Sequence, residues 1–361
     1  MRAVAAGLYH PWAALHMPGV GRALLSLLTG TGVGTKFFYK SYITIFVLYR
    51  MNTTSSPSVS NNLQAEINKA SVYIYPITIS LTIISNLINI YVLYRPKFRS
   101  CSITHYFLAF AFTCLLYTCE VPVMMFLRLR FGYVVTSTPI GCRLQTFVIY
   151  VLPLFISLML VFASADRFFA SALSARIRNL SRVRIAQQII ITVALLTAIY
   201  AFPHALLYDL NLKTNQCVAY SYTIANIYLS SRIVLSYILI PIAMTVFGCL
   251  LVRNIQRQTH RTAPHAMNTQ QEIRMRRVEN QLVRMIVLQV SVYLVFSIPA
   301  GVGYTIITFV PSMNTPFMAQ VRVILSLWQQ TIYFLPLLLY IFSSKTYRQE
   351  FLKTFSLNNY R

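Results

Sequence analysis

The sequence predicts an all-α membrane protein, a bundle of seven transmembrane helices. Three observations carry this. First, 57% of the 361 residues are hydrophobic and only 11% are charged, where a soluble domain carries about 25% charged residues. Second, seven apolar runs follow residue 70, each long enough for the roughly 20 residues that cross a bilayer as a helix. Third, the basic residues fall between these runs, and mostly on alternate sides of them. Backbone polar groups in lipid must be satisfied within the segment, so runs of this length are helices.

Residues 1–50 are broken by glycine and charge, and their longest apolar stretch, Tyr42 to Tyr49, is too short to span. They do not read as a signal peptide. Met51 then opens a polar stretch containing the N-glycosylation sequon Asn52-Thr53-Thr54. The expectation is that Met51 is the natural start, that 1–50 is a mistaken extension and that 51–70 is a polar extracellular segment. The alternative is a real, weakly ordered leader. The seven spans are expected at about 71–94, 103–127, 143–172, 185–208, 220–252, 279–309 and 321–344, forming a bundle over 71–344. Residues 345–361 are the tail.

Charge orients the bundle. One side collects Arg95, Lys97 and Arg99, then Arg176, Arg178, Arg182 and Arg184, then the Arg253 to Arg277 segment and the tail. The other side holds few cations: Arg128, Arg130, Arg143, Lys213 and Arg322, with Arg232 near one helix end. The positive-inside rule puts the first side and the C-terminus in the cytoplasm. The sequon then lies outside, where glycosylation occurs. Arg253 to Arg277 reads as a polar, mobile loop. The net charge of +24 belongs to membrane topology rather than to a nucleic-acid partner. No Walker loop, HExxH, GxSxG or Cys/His metal spacing appears, so neither enzyme activity nor a cofactor is expected. Four cysteines, Cys101, Cys114, Cys119 and Cys249, fall in or beside apolar runs and read as small hydrophobes.

The third run is the organising one. Leu144 to Ala165 carries no charge over 22 residues and ends on Asp166-Arg167-Phe168. Cys142 precedes Arg167 by 25 positions, or roughly 37 Å of helix, so the two mark opposite membrane faces. This spacing resembles the third helix of rhodopsin-like (class A) G-protein-coupled receptors. Further positions agree over about 71–355. Asn86 resembles the marker asparagine of the first helix. Pro241 and Pro299 match the kink prolines of the fifth and sixth helices. Pro336 and Tyr340 resemble the Asn-Pro-x-x-Tyr motif, with Leu335 in place of Asn and the spacing one residue longer. Ser344 to Phe355 resembles the short amphipathic helix that lies along the membrane.

The resemblance implies a receptor at the plasma membrane. Its partners would be membrane lipid, an extracellular ligand and a cytoplasmic heterotrimeric G protein. It implies a Cys142–Cys217 disulfide between the second outer loop and the third helix. It implies that Asp166, Arg167 and Phe168 form an activation switch with Tyr340. It implies also that Glu279, 20 residues before Pro299, pairs with Arg167 in the resting state. The alternative for Glu279 is a solvated helix-end acid. Several family positions depart from the pattern: the sodium-site aspartate falls on Phe112, the toggle tryptophan on Ser297 and the fifth-helix tyrosine on Cys249. The third helix has no acid where amine receptors carry one, which argues against an amine. A peptide ligand is expected first and a chemosensory small molecule second. Glu120, paired with Arg322, is the intramembrane acid to watch. Tyr150, Tyr304 and Trp328 are further pocket candidates that read equally as packing residues. A transporter or channel, the competing class, would show inverted repeats or paired broken helices, and the chain shows no such symmetry.

Overall fold

The computed structural model describes residues 57–172, 174–211, 216–261, 270–310 and 315–355. For residues 57–63, 222, 252, 255–261, 270–282, 316, 319, 354 and 355 it describes the backbone only. All belong to one compact unit, Thr54–Arg361. Expectations for residues 1–50, the Met51 start and the Asn52 sequon lie outside the described residues.

The first helix is Pro57–Leu93. It starts well before the expected Ser71, so residues 57–70 are helical rather than a loose polar segment. An apolar-run criterion cannot see this, because Asn61, Asn62 and Gln64 interrupt hydropathy without breaking a helix. The second span is Ser102–Glu120 and Pro122–Phe131, joined at Val121. A residue before proline is pushed from helical geometry, and the break falls there. Gly132 closes the span with φ 68°, the left-handed conformation that favours glycine at a helix end.

The third helix, Pro139–Ala170, begins at a capped end. Thr138 Oγ1 accepts from Gly141 N at 3.1 Å, and proline occupies the first turn. A side chain at Gly141 would collide with the Val135 carbonyl, so the chain passes here only as glycine. The fourth helix is Val183–Leu207. The fifth is Tyr222–Ile233 and Ile240–Arg261, joined by a π-helical stretch, Val234–Leu239, just before Pro241. The sixth is Gln270–Phe309, continuous through Pro299. The fifth and sixth helices therefore run far into the segment expected as a loop. Arg, Gln and Met are good helix formers, and the polar composition marks exit from lipid, not the end of the helix.

The seventh span is not one rod. Pro316–Gln330 leads through a 3₁₀ turn, Thr331–Tyr333, into Leu335–Ser343. The two halves bend by 42°. Among the described residues six helices are long and apolar enough to cross a membrane, and this bent pair, taken as one span, makes seven. A last helix, Lys345–Phe355, follows.

The bundle is apolar outside and mixed inside. Ile77, Leu81 and Ile84 of the first helix and Ile191, Leu195 and Ile199 of the fourth are exposed, while Ser85, Asn86 and Asn89 are buried. Such a continuous apolar surface fits lipid, not water. The third helix is central and packs against the second, fourth and fifth. Phe107, Phe110, Leu154, Met159, Met244 and Tyr293 fill the core around it. The two strands among the described residues form a hairpin: β1, Tyr208–Asn211, pairs antiparallel with β2, Gln216–Ala219, setting Leu210 opposite Cys217.

Candidate functional site

Two clusters occupy opposite ends of the bundle. At the third helix's C-terminal end, Asp166 and Arg167 are each only 4% exposed. Arg167 donates to Asp166 Oδ2 from Nε at 3.1 Å and from a terminal nitrogen at 2.6 Å. The same nitrogen donates to Ser102 Oγ at 2.8 Å and Ser181 Oγ at 3.3 Å. Ser102 in turn donates to Asp166 Oδ2 at 2.7 Å, and Ser181 to Oδ1 at 2.8 Å. Ser102 opens the second helix and Ser181 lies just before the fourth, so the cluster ties three helices together. Hydrogen bonds that involve a charged group are the stronger kind, and this one is closed. Both serines escape sequence reading, because nothing local distinguishes a loop serine that reaches a buried acid.

Phe168 packs against the fifth helix, its ring 6.2 Å from that of Phe247. Glu279 lies on the sixth helix, but its side chain is outside the described residues, so the pairing with Arg167 is too. Tyr340 is buried and donates to Gln289 Oε1 at 2.6 Å, joining the seventh helix to the sixth. Pro336 is buried at the start of the lower half of the seventh span. Asn86 donates to the Tyr333 carbonyl at 2.8 Å. It thereby meets a backbone group in the 3₁₀ turn. Tyr347 donates to Asn89 Oδ1 at 2.6 Å, and Glu350 bonds Arg95 and Lys97. These contacts dock the last helix on the first helix and the turn after it.

At the other end Cys142 and Cys217 form a disulfide with Cα atoms 5.6 Å apart. Arg143 adds an ion pair to Asp209 at 2.8 Å. The hairpin is thus held to the third helix by one covalent and one ionic tie. The Leu210 backbone N–H and Arg143 hold the Asp209 carboxyl below its ordinary range.

Between the helices lies a cavity of about 210 Å³. Tyr75, Tyr117, Tyr237, Tyr293, Tyr304 and Tyr333 line it, with Ser157, Ser236, Gln329, Gln330 and one charged residue, Arg232. Of the expected pocket residues only Tyr304 lines this space. Its hydroxyl meets Ser326 Oγ at 3.0 Å, and its ring stacks on Tyr237 at 5.9 Å. Tyr150 stands beside it. Its face lies 4.5 Å from the Arg232 guanidinium carbon, and its ring stacks on His204 at 3.5 Å. Trp328 packs on Phe296 at 4.5 Å. The Glu120–Arg322 pair is not formed, which corrects the expectation: Arg322 is exposed, Glu120 is half-buried, and neither has an ion-pair partner among the described residues. Glu120 is the last residue of Ser102–Glu120, whereas Arg322 sits within Pro316–Gln330.

Two further departures take on a different meaning. Phe112, the position that the resemblance gives to a buried carboxylate, is 58% exposed. Cys114, two residues on, is fully buried. Two residues turn a helix by roughly 200°, so the motif alignment points the wrong side of the helix inward. Ser297, at the toggle position, is fully buried. Arg232 is the residue that sequence reading passed over. Its signal was available: a single cation inside an apolar run is a functional candidate by default.

The family model described as "7 transmembrane receptor (rhodopsin family)" matches residues 85–343. The chain belongs to this family. It is a multi-pass membrane protein of the receptor type, with the disulfide that joins the third helix to the hairpin after the fourth. Comparison with curated proteins gives no match. Within the receptor the match takes in both clusters, from Asn86 to Tyr340.

Proposed function

We propose that this receptor carries the binding of an extracellular ligand, in the cavity beside Arg232, to a heterotrimeric G protein at the Arg167 end. The disulfide end faces outward and the C-terminus lies in the cytoplasm of a cell bounded by the plasma membrane. Supporting this orientation, the basic residues crowd the Arg167 end. The observation that carries the reading is that the third helix serves both clusters, with Ser157 lining the cavity and Arg167 at the end of the same helix, while the seventh span runs from the cavity to the sixth helix. Tyr333 lines the cavity, and its carbonyl holds Asn86. About two turns further, Tyr340 reaches Gln289 on the sixth helix.

The mechanism is a shift between two packings of the bundle. The π-helical stretch before Pro241, the helix around Pro299 and the bend before Pro336 are the places where backbone hydrogen bonding is interrupted or altered, and so where bending is easiest. In the resting form Arg167 is bound to Asp166, Ser102 and Ser181, and Glu279 adds to its restraint. In the active form that cluster opens and Arg167 meets the G protein. The cavity is smaller than the ~300–1,000 Å³ of drug-sized pockets. It suits a compact organic ligand, and a peptide would enter by one terminus only. The test is guanine-nucleotide exchange on G-protein heterotrimers with the receptor in membranes. Arg167→Ala should abolish exchange at unchanged surface expression. If that variant is well expressed and exchange is normal, the mechanism is wrong.

A further inference from the structure

We infer that the ligand of this receptor is a compact organic acid whose carboxylate is bound by Arg232 and Ser236. The inference rests on the reading of the cavity as the ligand site. Arg232 stays charged at any physiological pH. A half-buried guanidinium inside a membrane bundle calls for a partner. Here no aspartate or glutamate lines the cavity. Among the described residues Arg232 has no ion pair and donates no hydrogen bond; the contact it makes is the face of Tyr150, 4.5 Å away. A cation resting on an aromatic face keeps its five N–H donors unspent.

The surroundings narrow the partner. The tyrosine hydroxyls nearby are already occupied: Tyr237 donates to Gln329, Tyr304 meets Ser326 and Tyr293 meets Ser157. Ser236 lies four residues after Arg232, on the same side of the fifth helix. It also lines the cavity and supplies a second donor. One cation matches one negative charge. A phosphate dianion would set its second charge against tyrosine ring faces, which are themselves electronegative. A planar carboxylate fits the guanidinium fork with two parallel hydrogen bonds. The stacked pair Tyr237 and Tyr304, with Tyr75 and Tyr117, offers the rest of the ligand an aromatic or apolar body site.

Two sources can present this chemistry, a free small acid or the C-terminal carboxylate of a peptide. The purified receptor in nanodiscs is titrated with phenylacetate and 3-phenylpropionate, each beside its neutral amide. Tetrapeptides ending in phenylalanine are run as free acid and as C-terminal amide. Thermal stability reports binding. The acids should raise Tm and the amides should not. A response to the peptides alone assigns the carboxylate to a peptide terminus, and a response to the small acids assigns it to a free acid. Arg232→Gln should weaken acid binding by about thirtyfold or more, and Arg232→Lys should keep part of it. The ligand-free Arg232→Leu protein should melt higher than the wild type, because it no longer holds an unpaired cation. An arginine that merely supports the fold would give a lower melting temperature. The proposal is overturned if no acid shifts Tm, if amides act as well as acids, or if Arg232→Gln binds acids unchanged. Acid binding without nucleotide exchange would remove the signalling reading and leave the acid site standing. Arg167-dependent basal exchange without acid binding would do the reverse.

Discussion

Arg167 and Arg232 are both arginines within a membrane bundle, and their neighbourhoods differ in one respect. Arg167 has an acid next to it in sequence and two serines brought from other helices, so its charge is matched. Arg232 has an aromatic face and an adjoining cavity with no acid. Desolvating a charge costs several kcal/mol unless it is paired and hydrogen-bonded. On the reading proposed above, the first arginine belongs to the resting structure, and the second to a site that a ligand completes. A receptor needs both. One end must hold a state that can be released, and the other must reward a molecule for arriving.

The largest test converts the first arrangement into the second. Asp166→Ala leaves Arg167 buried without its acid, which should destabilise the protein by about 3–5 kcal/mol. The melting temperature in nanodiscs reads this, and basal nucleotide exchange should rise as the resting cluster opens. If stability is unchanged, the contrast between the two arginines fails.

Next comes the covalent tie between the hairpin and the third helix. Cys217→Ser opens a link between residues 75 apart in sequence. The loss should be about 2–5 kcal/mol, with acid binding weakened because the hairpin is freed. Cys142→Ser should behave the same, and the double variant no worse than either. A double variant much worse than both would show that each cysteine acts separately.

The smallest effect comes from the last helix, where titration replaces mutation. Burial works to raise the Glu350 carboxyl, but Lys97, then Lys353 and Arg95, outweigh it and hold it below its ordinary value of 4.5. A carboxyl lowered by folding stabilises the fold fully above its unfolded value. That contribution is lost as pH falls through the lower, folded value. Docking of Lys345–Phe355 should thus be constant from neutral pH down to about 4.5 and weaken below it. Pepsin cleavage within Lys345–Phe355, measured directly at each acid pH, reads this loosening. Glu350→Gln should remove the acid-dependent step. A step of equal size in that variant would place the titration elsewhere.

Much of this was legible in the residues. Seven runs of apolar length demanded seven helices, since a bilayer leaves a spanning backbone no other partner for its hydrogen bonds. Cys142, Asp166-Arg167 and Pro299 pointed to the family that the comparison then assigned. What was not legible depended on facing. Glu120 attracted notice as a membrane acid and lies outside the lining of the cavity described above, while Arg232 looked like a helix-end cation and is the charged residue of that lining. Phe112 matched a motif and faces outward.

Hydropathy and length act on each segment alone, so the sequence by itself determined the number of spans, the membrane class and the crowding of cations at one end. Tertiary structure decided everything that depends on how one helix is rotated against another. A single residue turns a helix by about 100°, enough to carry a side chain from the core to the lipid. Contacts such as Ser102 with Asp166, 64 residues apart, exist only once packing has chosen that rotation. The π-helical stretch Val234–Leu239 and the 42° bend before Pro336 shift the phase again. The sequence listed the charges, and the packing of the helices decided which of them were paired.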